Sequence, residues 1–447
     1  MKKSIALISL GCAKNLVNSE QMLYLLDEAG YALSPDPEGC DAVIINTCGF
    51  IDAAKSEAID TILQMAELKA AGKLGKIIVT GCLPERYRDD IRAELPEIDA
   101  ILGVGSFADI VSALDEAFAG NSVEYFGDKN APVDELPRVV STGPAWAYLK
   151  IAEGCDNFCA FCAIPYIRGR YRSRSMPNIL EEARSLAEHG VKELIVIAQD
   201  ITKYGTDLYG KRSLAELCSK LSEIDGIEWI RLHYTYPDQF DDELIDEIAS
   251  NDKIVKYLDI PIQHINDGIL RAMNRHGTSD DIRRLFKDLR QRIPGLVLRT
   301  SIIAGLPGEG EAEFEELCEF LREAKIERAG VFPFSPEEGT RAAKMEHVDF
   351  ETAQRRAELI MQLQSEIMEE FCRSQVGKTL RVLCEGYDEE QKMFFGRSYA
   401  DSPDIDGLVF FDGAGCEGNI VDVKITAITD ECFLIGEEVD TFKGDVL

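Results

Sequence analysis

Residues 147–162 read AYLKIAEGCDNFCAFC, an apolar strand pattern that leads directly into three cysteines with CxxxCxxC spacing. Structural zinc sites are almost always four-coordinate, yet no fourth cysteine or histidine lies within 25 residues of Cys162. Three thiolates can instead hold three irons of a 4Fe–4S cluster and leave the fourth iron open to a small molecule. The spacing of Cys155, Cys159 and Cys162 therefore favours an iron-sulfur cluster over a zinc site or a purely structural role.

Outward from this stretch, strands and helices alternate over residues 146–372. The strand patterns are AYLKIAE, ELIVIA, WIRLHY, YLDIPI, LVLRTSIIAG and AGVFPFS. Their βα order predicts a complete or partial barrel, whose site lies where the strand C-termini meet the following loops. The long helical stretch ETAQRRAELIMQLQSEIMEEF closes this central domain.

The flanking regions complete an α/β protein of three domains. SIALISL (4–10), DAVIINT (41–47) and KIIVT (76–80) alternate with helical patterns at EQMLYLLDEAG and around 53–68, which predicts a parallel-sheet domain over residues 1–126. Residues 127–145 contain three prolines and read as a linker. Residues 373–447 consist of short β-like pieces joined by Asp and Gly turns, which predicts a small antiparallel barrel.

A second set of cysteines follows the N-terminal strands. Cys12, Cys48 and Cys82 each stand just past a predicted strand, and the carboxyl ends of parallel strands share one edge of a sheet. We therefore expect a second three-thiol site, unless these are simply buried cysteines of the kind cores favour. The remaining cysteines show no such pattern and are expected to be ordinary: Cys40, Cys218, Cys318, Cys372, Cys384, Cys416 and Cys432.

Composition limits the compartment and the partners. The 447 residues contain 13 cysteines, but a chain of this size does not need disulfides. No apolar run reaches the roughly 20 residues of a membrane span, and the N-terminus lacks a signal-peptide pattern, so we expect a cytoplasmic protein without a membrane partner. The net charge is −32, and residues 373–447 alone hold seven Lys or Arg against sixteen Asp or Glu. Such a surface repels nucleic acid and suits a basic protein, although a merely solvated acidic surface is the alternative.

The CxxxCxxC stretch resembles the radical S-adenosylmethionine (SAM) enzymes. The resemblance implies that SAM binds at the open iron, where an electron from the cluster splits its sulfonium and gives a deoxyadenosyl radical. Phe161 precedes the third cysteine, ELIVIAQD (193–200) contains Gln199, and SIIAGLPGE (301–309) contains Ser301 and Gly305; these segments are similar to the family's SAM-binding elements. Gly305 and Gly308 could equally serve a tight turn.

Further motifs resemble the methylthiotransferases over essentially the whole chain: SLGCAKNLVNSE, NTCGFIDAAKSE and TGCLPERY, with a terminal barrel of the TRAM type. CAKNLVNSE, NTCGFI and CAFCAIPYIRG are similar to the branch that modifies small-subunit ribosomal protein S-twelve, whereas tRNA-modifying relatives have a GCQMN-like first motif. The resemblance implies two 4Fe–4S clusters, SAM as both methyl donor and radical source, and methylthiolation of an aspartate β-carbon. It also implies an electron donor and a substrate met free or on the ribosomal subunit, without direct readout of nucleic acid.

Two other functions explain part of the pattern: a tRNA adenosine methylthiotransferase, and an iron-sulfur redox protein without turnover. No catalytic acid or base is assigned beyond the cluster cysteines, because in cofactor chemistry the protein mainly positions the parts. His233 and His264 are expected at strand ends, either lining the cavity or packed as neighbours. If IRGRYRSR is extended, its four arginines share one face and bind SAM, the substrate or surplus acids. They are Arg168, Arg170, Arg172 and Arg174.

Overall fold

Three large sheets follow one another along the chain, and a fourth sheet has two strands, in a computed structural model that describes residues 2–143 and 145–439. Pro144 of the predicted linker and residues 440–447 of the predicted C-terminal domain lie outside the described residues. The α/β class and its three sheets agree with the expectation from the sequence. The predicted domain boundaries remain predictions.

The N-terminal sheet has six parallel strands in the order β2-β1-β3-β4-β5-β6. Residues 42–45 and 77–79 are fully buried, as expected for a parallel sheet covered by helices on both faces. The strands are β1 (Ser4–Ser9), β2 (Ala32–Ser34), β3 (Ala42–Thr47), β4 (Lys76–Gly81), β5 (Ala100–Leu102) and β6 (Val123–Tyr125). The helices are α1 (Ala13–Glu28), α2 (Asp52–Ala70), α3 (Cys82–Glu94) and α4 (Ile110–Phe118).

Helix α1 begins at Ala13, seven residues before the start expected from EQMLYLLDEAG. Its first half buries polar side chains such as Asn15, Asn18 and Glu20, so the apolar periodicity that reveals a surface helix is absent there. Gly30 follows the helix end with a φ of +84°, as expected for a glycine that terminates a helix.

The central sheet has six parallel strands in the order β14-β13-β12-β11-β10-β7. Strands β7 and β14 are its edges, so the barrel is partial, and a two-stranded β8-β9 ribbon lies beside it. The strands are β7 (Trp146–Lys150), β8 (Ala152–Glu153), β9 (Arg172–Ser173), β10 (Glu193–Ile197), β11 (Trp229–Leu232), β12 (Ile254–Asp259), β13 (Val297–Ala304) and β14 (Arg328–Pro333). The helices are α5 (Ile164–Arg168), α6 (Met176–Glu188), α7 (Leu214–Ser222), α8 (Asp242–Ser250), α9 (Asp267–Ala272), α10 (Ser279–Arg292), α11 (Glu311–Ala324) and α12 (Phe350–Arg373).

A closed barrel in the order β15-β16-β17-β19-β18 ends the described chain, as the turn-rich sequence predicts. It is not antiparallel throughout as expected, because β17 and β19 pair in parallel. Its strands are β15 (Thr379–Asp388), β16 (Met393–Ser398), β17 (Val409–Asp412), β18 (Ile420–Ile428) and β19 (Leu434–Glu438). Val17 of α1, Tyr257 of β12 and Leu383 of β15 belong to one buried apolar cluster. All three parts of the chain therefore share a core. Among the helices of the described residues, none has both the length and the apolar character needed to cross a membrane.

Candidate active site with two cysteine sets

The N-terminal set, Cys12, Cys48 and Cys82, collects at one edge of the first sheet. Strands β1, β3 and β4 are direct neighbours. Cys12 stands at the N-terminal cap of α1, Cys48 directly follows β3, and Cys82 is the first residue of α3 after β4. Each of the three thiols is close enough to the other two for their charges to interact. The structure therefore brings the three cysteines together.

Three glycines allow these strand ends to approach one another. A Cβ on Gly11 would lie 2.7 Å from Cβ of Cys48, and a Cβ on Gly49 would lie 2.8 Å from the carbonyl oxygen of Cys82. Gly81 has a φ of +102°, and its Cβ would lie 2.5 Å from the carbonyl oxygen of Thr47. Because each glycine adjoins a cysteine of the set, side chains there would push the thiols apart.

Cations compensate for the burial of these thiols. Arg168 donates from Nε to Sγ of Cys82 at 3.3 Å. Burial opposes ionisation of Cys12, but the charges of Lys14 and Arg168 outweigh it and lower the pKa of Cys12. Burial raises the pKa of Cys48, with a further contribution from Cys82, to about 11. Burial also raises the pKa of Cys82, although Arg168 opposes it.

The second set, Cys155, Cys159 and Cys162, lies in the loop between β8 and α5. This loop is held on both sides, because Ala160 donates from its backbone N–H to Met273 at 2.8 Å and accepts from Ala342 at 2.9 Å. Phe158 has a φ of +47°, which is uncommon outside glycine and clusters at functional sites. The loop is thus fixed by tertiary contacts rather than by regular structure.

Arg275 and a cavity adjoin the thiols of the second set. Arg275 donates from Nη1 to Sγ of Cys159 at 3.7 Å and lies over the Tyr236 ring, 4.4 Å from its centroid. Burial raises the pKa of Cys155 to about 12 and raises that of Cys162. A cavity of about 190 Å³ adjoins the loop, lined by Phe158, Cys159, Ala160, Cys162, Tyr166, Asn274 and Arg341.

A buried polar network joins the two sets. Glu153, two residues before Cys155, accepts two hydrogen bonds from Nη1 of Arg168, at 2.9 and 3.0 Å. The same guanidinium reaches Cys82 through Nε and Asn15 through Nη2. Burial opposes ionisation of Glu153, but Arg168 and Lys150 outweigh it and hold its pKa far below the ordinary carboxyl range. Arg168 therefore connects the CxxxCxxC loop to the N-terminal thiols.

A second connection uses the loop after β11. Lys14 places its ammonium 3.3 Å from the centroid of the Tyr234 ring, while the hydroxyl of Tyr236 lies 4.0 Å from Sγ of Cys159. Burial opposes the charged form of Lys14, but interactions with Tyr234 and Cys12 outweigh it and raise its pKa. Residues 234–236 thus contact both neighbourhoods.

The predicted SAM contacts lie at different distances from this network. Gln199 donates to Glu153 at 3.0 Å, and its buried amide oxygen accepts no hydrogen bond from the described residues, so a donor on a ligand would satisfy it. Phe161 packs against the apolar cluster beside Ala160. Ser301 lies in β13, and its carbonyl oxygen accepts from Gln263.

Gly305 is required by packing. It has a φ of +81°, and a Cβ there would lie 2.5 Å from Cβ of Ala353 in α12. The turn and this helix contact explain the glycine without a ligand, which agrees with the turn alternative; its contact with SAM remains a prediction.

Both histidines are packed neighbours. His233 is buried beside Ser402, whose hydroxyl lies 3.2 Å from its Nε2, and burial lowers the pKa of His233 well below the usual value. His264 is buried with its Nε2 3.2 Å from Glu309.

The four alternating arginines do not share one face, because IRGRYRSR is not extended throughout: Arg168 ends α5 and Arg172 begins β9. Arg170 pairs with Asp156 at 2.9 Å on the surface. Arg174 is buried between Glu135 and Glu182. Surplus acids thus engage three of them, and only Arg168 touches a cysteine of either set.

Both sets have the donor chemistry of an iron-sulfur cluster, three thiols apiece with an adjacent cation. Over residues 2–143 and 145–439, no three His, Cys, Asp or Glu side chains converge as the ligands of a single metal ion would. In a cubane cluster each thiolate binds a different iron, which requires wider spacing than one ion does. Three thiols are the donor set that a cubane cluster with one open iron takes, so the residues present fit such a cluster at either set.

Sequence reasoning did not identify three charged residues at the site: Lys14, Glu153 and Arg275. Each lies beside a cysteine of a motif or near it in space. The partners of Lys14 and Arg275 are distant in the chain, whereas Glu153 pairs with Lys150 three residues before it and with Arg168 fifteen residues after it. Glu153 carried one usable signal, since it directly precedes GC within a buried strand pattern, where an acid requires a cation.

Three family models match consecutive parts of the chain. The radical SAM superfamily matches residues 149–321, the family described as uncharacterized protein family UPF0004 matches 4–103, and the TRAM domain matches 376–439. A radical SAM domain implies one 4Fe–4S cluster and SAM.

Solved structures share the fold. TsrM from Kitasatospora setae, a radical SAM methyltransferase solved with cobalamin and a [4Fe-4S] cluster, is 14% identical with a TM-score of 0.55, and the match covers 74% of this chain and 75% of that one. OxsB, a cobalamin-dependent radical SAM enzyme, is 14% identical with a TM-score of 0.50 over 83% of this chain and 56% of its own. At such identities the likeness concerns the fold alone.

Curated relatives are much more similar. "Ribosomal protein uS12 methylthiotransferase RimO" of Acetivibrio thermocellus is 47% identical, over 98% of this chain and 99% of the relative. The protein of the same name from Caldanaerobacter subterraneus subsp. tengcongensis is 50% identical over 91% and 93%. Near-complete coverage at this identity extends the match across all three sheets and both cysteine sets. The chain belongs to the RimO family of radical SAM methylthiotransferases.

Proposed function

We propose that this chain attaches a methylthio group to the β-carbon of an aspartate in ribosomal protein uS12, using two 4Fe–4S clusters and SAM in two roles. The name shared by the relatives supports the substrate. The observation that carries the proposal is the meeting of two three-thiol sets, where Arg168 from the CxxxCxxC region donates to Cys82 at 3.3 Å.

Each set has a distinct task in this proposal. Cys155, Cys159 and Cys162 would hold the cluster that binds SAM, and Cys12, Cys48 and Cys82 would hold the second cluster. When bound, these groups supply the electron, the hydrogen-atom abstraction and the methylated sulfur that methylthiolation of a carbon requires.

The protein's own residues fix the two sets relative to each other. Glu153, Arg168 and Asn15 are all buried, and a buried charge network of this kind holds its geometry because breaking it leaves an unpaired charge. The orphaned amide oxygen of Gln199 lies on the same network, so it can orient a ligand that donates a hydrogen bond.

Surface charge supports a basic protein as substrate rather than RNA. Of the seven Lys or Arg in residues 373–447, Arg397 is buried between Glu193 and Glu385, and Arg381 pairs with Glu228. Three acids of the segment are paired as well, Glu385 with Arg397, and Asp401 and Asp406 with Arg328. The barrel therefore keeps the acidic excess of its composition, which favours association with cationic partners. Such a substrate places the reaction in the cytoplasm, and the reaction requires an external electron donor.

Anaerobic incubation with free uS12, with the small ribosomal subunit and with tRNA tests the proposal, each followed by mass spectrometry. We expect methylthiolation of an aspartate in uS12, either free or on the subunit, and none on tRNA. Modification of tRNA alone would make the chain a tRNA methylthiotransferase. A protein that forms no 5′-deoxyadenosine from SAM under reduction would be an iron-sulfur carrier.

A further inference from the structure

Buried cations in this protein almost always have an acidic partner. Nine Lys or Arg residues are buried among the described residues: Lys14, Lys150, Arg168, Arg174, Arg231, Arg275, Arg328, Arg356 and Arg397. Seven of them form a salt bridge with Asp or Glu. Within residues 2–143 and 145–439, Lys14 and Arg275 have no carboxylate within 4.0 Å, and each stands beside one cysteine set. A buried charge without a counter-ion is costly, so these two positions require an explanation.

The buried charge of Arg275 is explained by its contacts. Its Nη1 lies 3.7 Å from Sγ of Cys159, its Nη2 donates to the carbonyl oxygen of Pro261, and its guanidinium covers the Tyr236 ring. A thiolate of the cluster loop would complete its charge. The side chain therefore belongs to the site already described.

Lys14 lies against the aromatic face of Tyr234, and Cys12, two residues before it, is the other group that favours its charged form. It is 7% exposed, and its ammonium lies 3.3 Å from the centroid of Tyr234. Tyr234 itself has a φ of +63°, an uncommon conformation for an aromatic residue that tends to occur at ligand sites. A tyrosine ring attracts a cation less strongly than a carboxylate does. The ring therefore covers the ammonium but does not neutralise it.

Lys14 lies near both cysteine sets. It is in the first turn of α1, two residues after Cys12. Its ring partner Tyr234 lies two residues before Tyr236, whose hydroxyl is 4.0 Å from Sγ of Cys159. A substrate carbon that must meet both sets has to enter between them, and Lys14 lies on one of the two connections there.

We infer that Lys14 binds the side-chain carboxylate of the aspartate that is modified, displacing the ring of Tyr234. This inference rests on the proposed function. The β-carbon of an aspartate is bonded directly to its carboxyl carbon, so an ammonium that holds the carboxylate also places the β-carbon. The same contact gives specificity, since a neutral amide at that position cannot neutralise the buried cation.

Binding of two peptides without turnover tests this role. Both carry the uS12 sequence around the modified position and a fluorescent label, one with aspartate and one with asparagine there. Affinities are measured by fluorescence anisotropy on the anaerobically reconstituted protein without reductant, and the iron content of every variant is measured in parallel. The expected preference of the unsubstituted protein for aspartate is about 10- to 100-fold. In Lys14→Met the two peptides should bind about equally, so the preference for aspartate should be lost.

Two variants complete the design. Lys14→Arg retains the charge and should retain a preference for aspartate. Lys3→Met is the matched control, because Lys3 also lies over an aromatic ring, 3.4 Å from the centroid of Phe118, but at the amino end of the sheet; its preference should be unchanged. Because the preference is a ratio of two affinities measured on one preparation, it can still be determined if Lys14→Met binds less iron.

The outcomes separate this inference from the proposed function. A protein that modifies uS12 while Lys14→Met keeps the full preference for aspartate would overturn the role of Lys14 alone. An unsubstituted protein that binds neither peptide and modifies only tRNA would overturn both.

Discussion

The two cysteine sets are built in opposite ways. Cys155, Cys159 and Cys162 lie within eight residues of one loop, whereas Cys12, Cys48 and Cys82 come from three strand ends spread over 71 residues. The loop is held by backbone contacts to Met273 and Ala342. The strand-end set depends on the pairing of β1, β3 and β4 and on glycines that let these ends approach.

This difference shows two ways to bring three thiols together beside a cation. A local motif fixes the order of its ligands through the chain, and its environment then supplies the cation Arg275. A sheet edge fixes its ligands through strand order, and it obtains Arg168 from the other set's own segment. The N-terminal set is thus the more dependent of the two on the rest of the fold.

The largest expected effect comes from removing either set as a whole. Replacement of Cys155, Cys159 and Cys162 by alanine should abolish both 5′-deoxyadenosine formation and methylthiolation, because SAM then has no cluster. Replacement of Cys12, Cys48 and Cys82 should abolish methylthiolation but keep SAM cleavage. Chromatography of the SAM products and mass spectrometry of uS12 measure the two activities. Equal losses of both activities in the two variants would contradict the division of tasks.

The next largest effect is expected at Glu153, which pairs with Arg168 in the network that joins the two sets. Glu153→Gln leaves the Arg168 and Lys150 charges buried without their carboxylate, so we expect a destabilisation of about 3–5 kcal/mol, measured by urea unfolding under anaerobic conditions. The matched control, Arg381→Met, removes an exposed pair with Glu228 and should cost about 0–1 kcal/mol.

The pairing of Glu153 with Arg168 also has a defined pH dependence. Burial opposes ionisation of Glu153, but the charges of Arg168 and Lys150 outweigh this effect and lower its folded-state pKa. Its stabilising contribution is therefore fully present above the unfolded-state value of about 4.3, and it is lost as the pH falls through the folded-state pKa. The difference in urea midpoint between the unsubstituted protein and Glu153→Gln should narrow below about pH 4. A difference that widens in acid would contradict the charge assignment.

A smaller effect separates close packing from backbone strain at the strand ends. Gly81 and Gly120 both have positive φ, +102° and +91°, but a Cβ on Gly81 meets backbone at 2.5 Å, whereas nothing lies within 4 Å of one on Gly120. Both alanine variants carry backbone strain from a positive φ, and that of Gly81 is the larger because its ψ of −151° lies in a region that is essentially restricted to glycine. Only Gly81→Ala should reduce the iron bound by the N-terminal set. Equal iron in the two variants would show that close approach is not required there.

The smallest effect is expected at the C-terminal barrel, which contributes no cysteine to either set. Glu389 and Glu390 are exposed on it, and their joint replacement by glutamine should slow association with uS12 only a few-fold, most clearly at low salt. Stopped-flow fluorescence measures the rate. Iron content should not change, and faster association would contradict the role of acidic charge.

The sequence predicts the long helices and strands, because their apolar periodicity is strong. It also predicts which cysteines meet, because the order of the strands places their carboxyl ends at one edge of the sheet. The central sheet, the closed barrel and the meeting of Cys12, Cys48 and Cys82 follow from them. Strands β2, β5 and β6 were missed since each has three residues, too few for a periodic pattern. The start of α1 was missed because its buried face there is polar.

The charged residues of the site were beyond sequence reasoning for another reason. Arg168 and Glu153 are 15 positions apart, and Asn15 joins them from 153 positions away, so no local pattern reveals the network. The alternation in IRGRYRSR indicated one extended face, but a helix end and a strand divide it. Partners distant in the chain decided which arginine reached the thiols.

Iron content after anaerobic reconstitution tests most directly the claim that each set holds its own cluster. The unsubstituted protein should bind about eight irons, and alanine replacement of Cys155, Cys159 and Cys162, or of Cys12, Cys48 and Cys82, should each leave about four. All six replacements together should leave none. If replacement of Cys12, Cys48 and Cys82 left the iron content unchanged, the N-terminal set would not hold a cluster. The claim that each set holds its own cluster would then be contradicted.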